Sequence, residues 1–311
     1  MGRRKNNVKQ TIHIVEVVVV LILMLLGKEY VIDDMIYAFS NETENQNSVA
    51  TANTNTEVDS TLKVYYLDVG QADSILIQDN NQNMLIDAGN NGDGKYLVKY
   101  FKELGITKFD YLVGTHPHED HIGGLDNVIK NFDIDKVLLP DVSTTTETYE
   151  DVLDALIEKN LKVTTPKIGD NFKMSDCDFS VMSIGTDATD LNETSIVLKM
   201  QFGNKKFIFT GDATSKNEKN MLDKDISADV LKVGHHGSEY STCQEFLDKV
   251  NPQYAIISVG KGNKYGHPTS QTLNKLKAKN ITIYRTDESG TILLTSDGEN
   301  INFETIKTRN K

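Results

Sequence analysis

Between His116 and His121 the chain places three histidines and an aspartate within six residues, directly after the apolar run FDYLVGT. A close-packed core does not accept so many imidazoles and carboxylates side by side, because each buried polar group needs a partner. The string is therefore expected on a loop at a strand end, facing a cation or other polar groups. Two further clusters repeat the arrangement. Thr210-Gly211-Asp212 follows the run KKFIF, and Gly234-His235-His236-Gly237-Ser238 follows ADVLKV. Six of the seven histidines lie after position 115, in THPHEDH, GHHGS and GHP. Any one of these alone reads as a satisfied structural histidine or a capping aspartate. Three clusters on strand ends read as one metal-binding edge.

Imidazole and carboxylate are the usual ligands of Zn²⁺ and its neighbours in the transition series. In the first loop His116 and His118 would point one way and Asp120 with His121 the other, serving two ions. Gly123-Gly124 permits a tight turn into the next helix, whose N-terminal amides favour negative charge nearby. Asp212 has two oxygens and could bridge two ions a few ångströms apart. All these ligands are expected on loops rather than in the packed core.

The runs LKVYYLDV, SILIQ and MLID predict strands, with turn signals at Gly70-Gln71 and Asn80-Asn81 as in consecutive hairpins. A helix over 95–104, the strand FDYLVGT, a helix after Gly124, the strand KVLLP and a helix over 149–159 complete the first half. The second half begins with strands at FSVMSI, TSIVLKMQF and KKFIFTG, then a helix over 215–223 and the strand ADVLKV. Helix 242–249, strand YAIISVG, helix 270–279 and the strands ITIYRT and GTILLTS follow. Each half puts strands first and then alternates them with helices. Two sheets face to face with helices outside make a four-layer α/β (αββα) domain, expected over residues 61–306 with a tail at 307–311.

Ahead of this domain, residues 3–9 are basic, and Ile12 to Leu26 is apolar except for His13 and Glu16. The clean run from Val17 to Leu26 matches a signal-peptide core and is shorter than the roughly 20 residues of a comfortable membrane span. Positive charge before the run and mixed charge after it predict a cytoplasmic N-terminus and an exported remainder. Residues 1–39 are accordingly a signal peptide or signal anchor that meets the membrane, the alternative being a buried core segment. Residues 40–60, rich in Asn, Thr, Ser and Glu, cannot bury enough apolar surface to offset ordering entropy and read as a flexible polar linker. Cys177 and Cys243 carry no spacing motif, although an exported domain could join them.

The chain's formal net charge is −12. Arg3, Arg4, Lys5 and Lys9 precede any acid, so residues 10–311 carry −16. That balance argues against general coating of duplex DNA, which needs phosphate neutralisation by Lys and Arg, but not against a single site that cuts phosphodiesters.

The strings YLDVGQADSILI (66–77), LIDAGNN (85–91), THPHEDHIGGL (115–125), NETSIVLK (192–199), FTGDA (209–213), LKVGHHGS (231–238), ISVGKGNKYGHP (257–268) and YRTDESGTI (284–292) together resemble the metallo-β-lactamase superfamily. Within it they are most similar to the soluble hydrolase domain of ComEC-type DNA-uptake competence proteins. The resemblance runs in order through residues 61–303 and implies the four-layer αββα metallo-β-lactamase sandwich. The chain has no room for the polytopic channel of full-length competence proteins, so it looks like a free-standing exported relative.

By that resemblance, His116 and His118 correspond to ligands of a first metal position, Asp120 and His121 to ligands of a second, and Asp212 to the bridging carboxylate. His235 is the first choice for the late histidine ligand, with His236 either exchanging that role or contacting substrate. Asp87 resembles an early strand-end aspartate that orients the loop, with turn capping as its simpler reading. Members with a complete site carry a further histidine before the bridging aspartate. Here Asn192 falls in that place, and its amide oxygen is a weak ligand beside imidazole, which favours looser binding or Mn²⁺. His267, in a Gly/Pro loop, is expected to contact a substrate phosphate or leaving oxygen. Ser238 and Asn263 are weaker candidates, and Gln71 and Asp73 are expected at the mouth of the cleft.

The implied cofactor is one or two divalent ions, Zn²⁺ or Mn²⁺. Coordination lowers the pKa of a bound water from about 15.7 toward about 7, and the resulting hydroxide attacks phosphorus or a carbonyl carbon. Asp120 could accept the water proton, and the other metal or His236 would steady the developing oxyanion. The expected substrate is a phosphodiester, either a DNA strand (single-stranded by charge) or a cell-envelope polymer. The rival readings are a lactonase or β-lactamase and a non-catalytic surface module that binds nucleic acid. No protein partner is evident.

Overall fold

A computed structural model describes residues 61–185 and 189–307. The expected leader at 1–39, the linker at 40–60 and residues 308–311 of the tail lie outside the described residues. No helix among the described residues is long and apolar enough to cross a membrane.

The chain opens with three antiparallel strands, β1 (Leu62–Tyr66), β2 (Ile75–Asp79) and β3 (Gln82–Ile86), the last two joined through Asn80-Asn81. Helix α1 (Gly94–Glu103), strand β4 (Lys108–Val113), helices α2 (Glu119–Ile122) and α3 (Leu125–Asn131), and strand β5 (Asp133–Leu138) follow. Helix α4 (Glu147–Glu158) and the two-residue strand β6 (Val163–Thr164) close this half. β3, β4, β5 and β6 pair in parallel, each parallel step made possible by an intervening helix.

The second half repeats the plan. β7 (Asn171–Met174), β8 (Cys177–Ser183), β9 (Val197–Phe202) and β10 (Lys205–Phe209) are antiparallel neighbours. After α5 (Ser215–Lys219), the strands β11 (Val230–Lys232), β12 (Tyr254–Ile257) and β13 (Thr282–Arg285) add in parallel, separated by α6 (Gln244–Val250) and α7 (Ser270–Ala278). The final elements are α8 (Thr286–Ser289), β14 (Thr291–Ser296) and β15 (Ile301–Ile306).

One feature departs from the expected halves. β14 returns to the first sheet and pairs antiparallel with β1, giving the order β15-β14-β1-β2-β3-β4-β5-β6, while the second sheet runs β13-β12-β11-β10-β9-β8-β7. The runs behind β6, β7 and β15 are short or largely exposed, and so carry little apolar periodicity to read.

Three apolar cores separate the layers. Leu62, Val64 and Tyr66 of β1 face Phe207 and Phe209 of β10 between the sheets. The alternate residues Tyr65 and Leu67 pack with Leu97 and Phe101 of α1 and Val128 of α3. On the far side Leu231, Ala255 and Ile257 meet Phe246, Leu247 and Leu276 of α6 and α7. This two-residue alternation, with apolar groups on both faces, is what lets each sheet be covered twice. Cys177 lies in the core between the sheets and Cys243 caps α6, and both remain free thiols.

Candidate metal centre

The three loops that carry the candidate ligands leave the ends of β4, β10 and β11, and the first is stitched to the loops after β1 and β3 by backbone hydrogen bonds. The amide of Asp73 donates to the Asp120 carbonyl at 3.1 Å, Ala88 to His121 at 2.7 Å, and Gly89 to Asp73 at 2.8 Å. His235 donates to Gly211 at 3.1 Å, joining the second and third clusters. Gly123 and Gly124 are required by close approach. A Cβ at the first would come 2.2 Å from the Asn91 amide nitrogen, and one at the second 2.4 Å from the Ala88 oxygen.

His235 and His236 both adopt left-handed backbone, at φ 51° and 53°. This costs roughly 1–2 kcal/mol per non-glycine residue. The turn is held by the Ser238 amide donating to the His235 carbonyl at 2.8 Å and by Thr269 donating to Gly237 at 3.0 Å. Its effect is to send His236 inward and leave His235 at the rim.

At the centre, His121 donates from Nδ1 to Asp87 Oδ2 at 2.7 Å. Asp87 also accepts from the Thr115 amide at 2.8 Å and hydroxyl at 2.7 Å, so it orients the loop. His236 donates from Nδ1 to the Ser258 carbonyl at 2.9 Å. Each of these bonds turns the other ring nitrogen, Nε2, toward the centre. There, His121 Nε2 lies 3.3 Å from Asp212 Oδ1, and His236 Nε2 lies 3.4 Å from Asp120 Oδ2. His116 Nε2 faces His118 Nδ1 at 3.0 Å.

His121 Nε2, His236 Nε2, Asp212 Oδ1 and the amide oxygen of Asn192 are buried and have no hydrogen-bond partner. Orphaned buried polar atoms are costly, and here His121 Nε2 and His236 Nε2 crowd Asp212 Oδ1 at 3.3 and 3.9 Å without making a hydrogen bond to it. Their separations suit a cation: with metal–nitrogen bonds of about 2.0–2.1 Å, two ligands on a tetrahedral ion sit about 3.3 Å apart. The groups that gather ligand atoms within 4.8 Å include His116-His121-Asp212, Asp120-His121-His236 and Asp73-Asp212-His236. The donor set therefore fits a divalent metal.

The electrostatics agree. Burial works against charge on His121, but Asp212 and Asp87 overcome it and hold the imidazole well above its ordinary range. Burial likewise opposes charge on His236, and Asp212 with Asp73 lifts it to about 10. Asp120 is held at about 2, because His236 and His121 outweigh its desolvation. Asp212 also lies well below the usual carboxylate range, since the surrounding histidines offset its burial. His116 is pushed down by burial and by the neighbouring His121, which leaves it neutral. A cation would take the place of the protons on His121 and His236.

Several expected residues land elsewhere than expected. The ligands are not merely on loops outside the core: His116, His121, Asp212 and His236 are all buried. His236, not the first-choice His235, stands with Asp120 and His121. His235 keeps its side chain 23% exposed, with Nε2 3.6 Å from Asp212 Oδ2. Asp73 is not at the cleft mouth. It is buried against His236, 3.4 Å from its Nδ1, and is paired with Lys232 at 2.7 Å. Gln71 does reach the cleft, where its Oε1 accepts from the Gly260 amide at 3.0 Å. Ser238 is buried and accepts from the Tyr240 amide, while Asn263 reaches the cleft but spends its amide on its own loop. His267 lines the cleft, half-buried, with Nδ1 unpartnered. Burial and the nearby His235 and His236 hold its imidazole below the ordinary range.

Two contributors had no role assigned from sequence. Ser195 Oγ accepts the Asp212 amide at 3.1 Å and lies 3.4 Å from His116 Nδ1. Lys232 is fully buried inside an apolar strand. A lysine within ADVLKV was the available signal, because such a charge is rarely buried without a partner.

Above the ligands opens a cleft of about 670 Å³ walled by Gln71, Asn90, Asn192, His235, Tyr265 and His267. A second depression of about 630 Å³, beside Lys63, Asn81 and Lys108, is lined by no histidine, cysteine or carboxylate and offers no comparable chemistry.

Comparison with known proteins agrees with this geometry. ComE operon protein 3 of Bacillus subtilis is 34% identical over 252 residues, covering 74% of this chain and 32% of that protein. Competence protein ComA of Neisseria gonorrhoeae is 30% identical over 232 residues, covering 72% and 31% respectively. The chain thus spans about a third of the length of these ComEC-type competence proteins. The metallo-beta-lactamase fold protein YhfI from Bacillus subtilis superposes with a TM-score of 0.52 at 12% identity, over 76% of this chain and 100% of that one, and shares the fold. The family model of the metallo-beta-lactamase superfamily matches residues 67–261, which contain every candidate ligand from His116 to His236, and the chain belongs to that superfamily.

Proposed function

We propose that this chain is an exported metal-dependent phosphodiesterase acting on a DNA strand or a cell-envelope phosphodiester, using one or two divalent ions, Zn²⁺ or Mn²⁺. The observation that carries the reading is the gathering of His121 Nε2 and His236 Nε2 within 3.3 and 3.9 Å of Asp212 Oδ1, beside an open cleft that Asp120, Asp212 and His236 line. A divalent cation held there supplies Lewis acidity and a water of lowered pKa.

The chain's own groups do the rest. Asp87 and the Ser258 carbonyl fix the ring orientations of His121 and His236. Asp120 is 30% exposed and ionised at neutral pH, so its carboxylate stands at the cleft floor able to take a proton from an attacking water. His267, neutral and facing the cleft, offers a ring N–H to a phosphate or leaving oxygen. The cleft is lined by amides, imidazoles, Lys264 and Tyr265 together with the carboxylates of Glu119, Asp120 and Asp212, and the substrate class is favoured by the likeness to competence proteins. Export rests on the basic start and apolar run of residues 3–26.

The test is turnover of bis-p-nitrophenyl phosphate and of a short single-stranded oligonucleotide by metal-stripped protein reloaded with Zn²⁺ or Mn²⁺. A chromogenic lactam and a lactone run alongside. Diester turnover that depends on metal is expected. Full metal loading with lactam or lactone turnover alone would replace this reading with the lactonase one, and tight DNA retention without any turnover would make the chain a binding module.

A further inference from the structure

The loop from Lys261 to His267 makes one wall of the cleft and carries a solvent-facing aromatic ring. Tyr265 is 57% exposed, although its backbone is tightly held. Asn263 Oδ1 accepts the amides of both Tyr265 and His267 at 3.1 Å. Its Nδ2 donates to the carbonyls of Gly260 at 2.9 Å and His267 at 2.6 Å. The ring belongs to none of the three apolar cores, so core packing does not account for its place at the cleft.

The ring is continuous with the metal centre. Tyr265 stacks on His267 with centroids 5.8 Å apart and planes inclined by 25°. His267 in turn meets His235 edge-on at 5.6 Å, and His235 neighbours His236 at 6.3 Å. The Lys264 ammonium lies over the Tyr265 ring, 5.1 Å from its centre, on an exposed side chain that a stacking base would displace toward its phosphate. In a chain of net charge −12, residues 260–268 hold Lys261 and Lys264 and no carboxylate. Among the described residues, neither lysine is in an ion pair.

These features select among phosphodiesters. An exposed aromatic face alone would suit either a nucleobase or a quaternary ammonium such as choline. Lysine beside the ring repels the ammonium and attracts phosphate. A polyol phosphate of the cell envelope has no flat face to stack. An unpaired base has one, and base–aromatic stacking beside a positive groove is how single strands are held without sequence preference. We propose that Tyr265, with Lys264, is a stacking platform for an unpaired nucleobase next to the scissile phosphate of single-stranded DNA. The platform rests on the diesterase reading above for its substrate class, but it is a binding property and can be tested apart from turnover.

The chain contains no tryptophan. Tyr265→Trp therefore installs a single indole at the platform. Titration of this variant, stripped of metal so that nothing is cut, with oligothymidylate should quench the indole, while an abasic oligomer of equal length should not. In the metal-loaded protein, Tyr265→Ala should raise KM for oligothymidylate by roughly five- to a hundredfold with kcat little changed. Its preference for the base-bearing over the abasic oligomer should collapse to about one, and Tyr265→Phe should restore it. Equal or absent quenching by the two oligomers, or an unchanged preference in Tyr265→Ala, would overturn the platform. Base-dependent quenching in a protein that cuts neither oligomer would keep the platform and overturn the diesterase reading.

Discussion

Lys232 Nζ lies 2.7 Å from Asp73 Oδ2, both side chains are fully buried, and Asp73 Oδ1 sits 3.4 Å from His236 Nδ1. The lysine is thus a fixed cation beneath a site that also gathers Asp87, Asp120 and Asp212. It donates its remaining reach to the Val233 carbonyl at 3.1 Å, which ties the pair to the strand end that presents the His235-His236 turn. Asp73 is correspondingly driven well below the ordinary carboxylate range, since Lys232 and His236 outweigh its desolvation.

Breaking this pair from one side should be costly. Asp73→Asn leaves the Lys232 ammonium buried without a counter-charge and should destabilise the metal-free protein by about 3–5 kcal/mol, with Lys232→Met costing less because Asp73 still faces His236 at 3.4 Å. The double variant should lose less than the sum of the two. Urea unfolding of the four proteins reads the coupling, and a cost below about 1 kcal/mol for Asp73→Asn would contradict the role.

Metal uptake should release protons. In the metal-free chain His121 is held well above its usual range and His236 at about 10, so both rings are cationic at pH 7. Each Nε2 must lose its proton before it can bind a cation, so affinity should rise with pH, and up to about two protons should leave at pH 7. Calorimetry in buffers of different ionisation enthalpy counts them, and a count of zero would be inconsistent with the assigned ligands. The sign for folding is the opposite. A raised folded-state pKa makes the His236 contribution complete below the unfolded value of about 6.5, and it is lost as pH climbs through about 10.

Asn192 offers a buried, partnerless amide oxygen where imidazole would bind more tightly. The parent protein should retain about one metal per chain through dialysis, and Asn192→His should retain closer to two. Metal analysis after dialysis decides this. Two equally tight ions in the parent would remove the argument.

Ligand and contact residues should separate in their effects. His121→Ala and Asp212→Ala should abolish diester turnover and strip metal. Because both side chains are buried in the network, their thermal stability should shift as well. His267→Ala should keep its metal while kcat falls by about 10²–10⁴-fold, the range for one positioned proton-transfer or hydrogen-bonding group. Loss of metal in His267→Ala would instead make it a ligand.

What the amino-acid sequence determined by itself is the layered fold and the inventory of the site. Near-continuous apolar runs mark most strands because a sheet covered on both faces needs apolar groups at almost every position. LKVYY sends Leu62, Val64 and Tyr66 one way and Lys63 and Tyr65 the other, and Tyr65 belongs to the helix-side core. The spacing from His116 to His121, Asp212 after KKFIF, and the paired His235-His236 disclose metal chemistry because imidazole and carboxylate have few other reasons to crowd strand ends. Tertiary structure alone decided which of two adjacent histidines turns inward, because that depends on successive left-handed residues held by bonds to Gly211 and Ser238. It also decided that β14 pairs with β1 across most of the chain's length, and that Asp73 and Lys232, 159 positions apart, meet under the site. Such pairings are set by long-range packing and by the need of a buried charge for a partner, and neither leaves a local pattern to read.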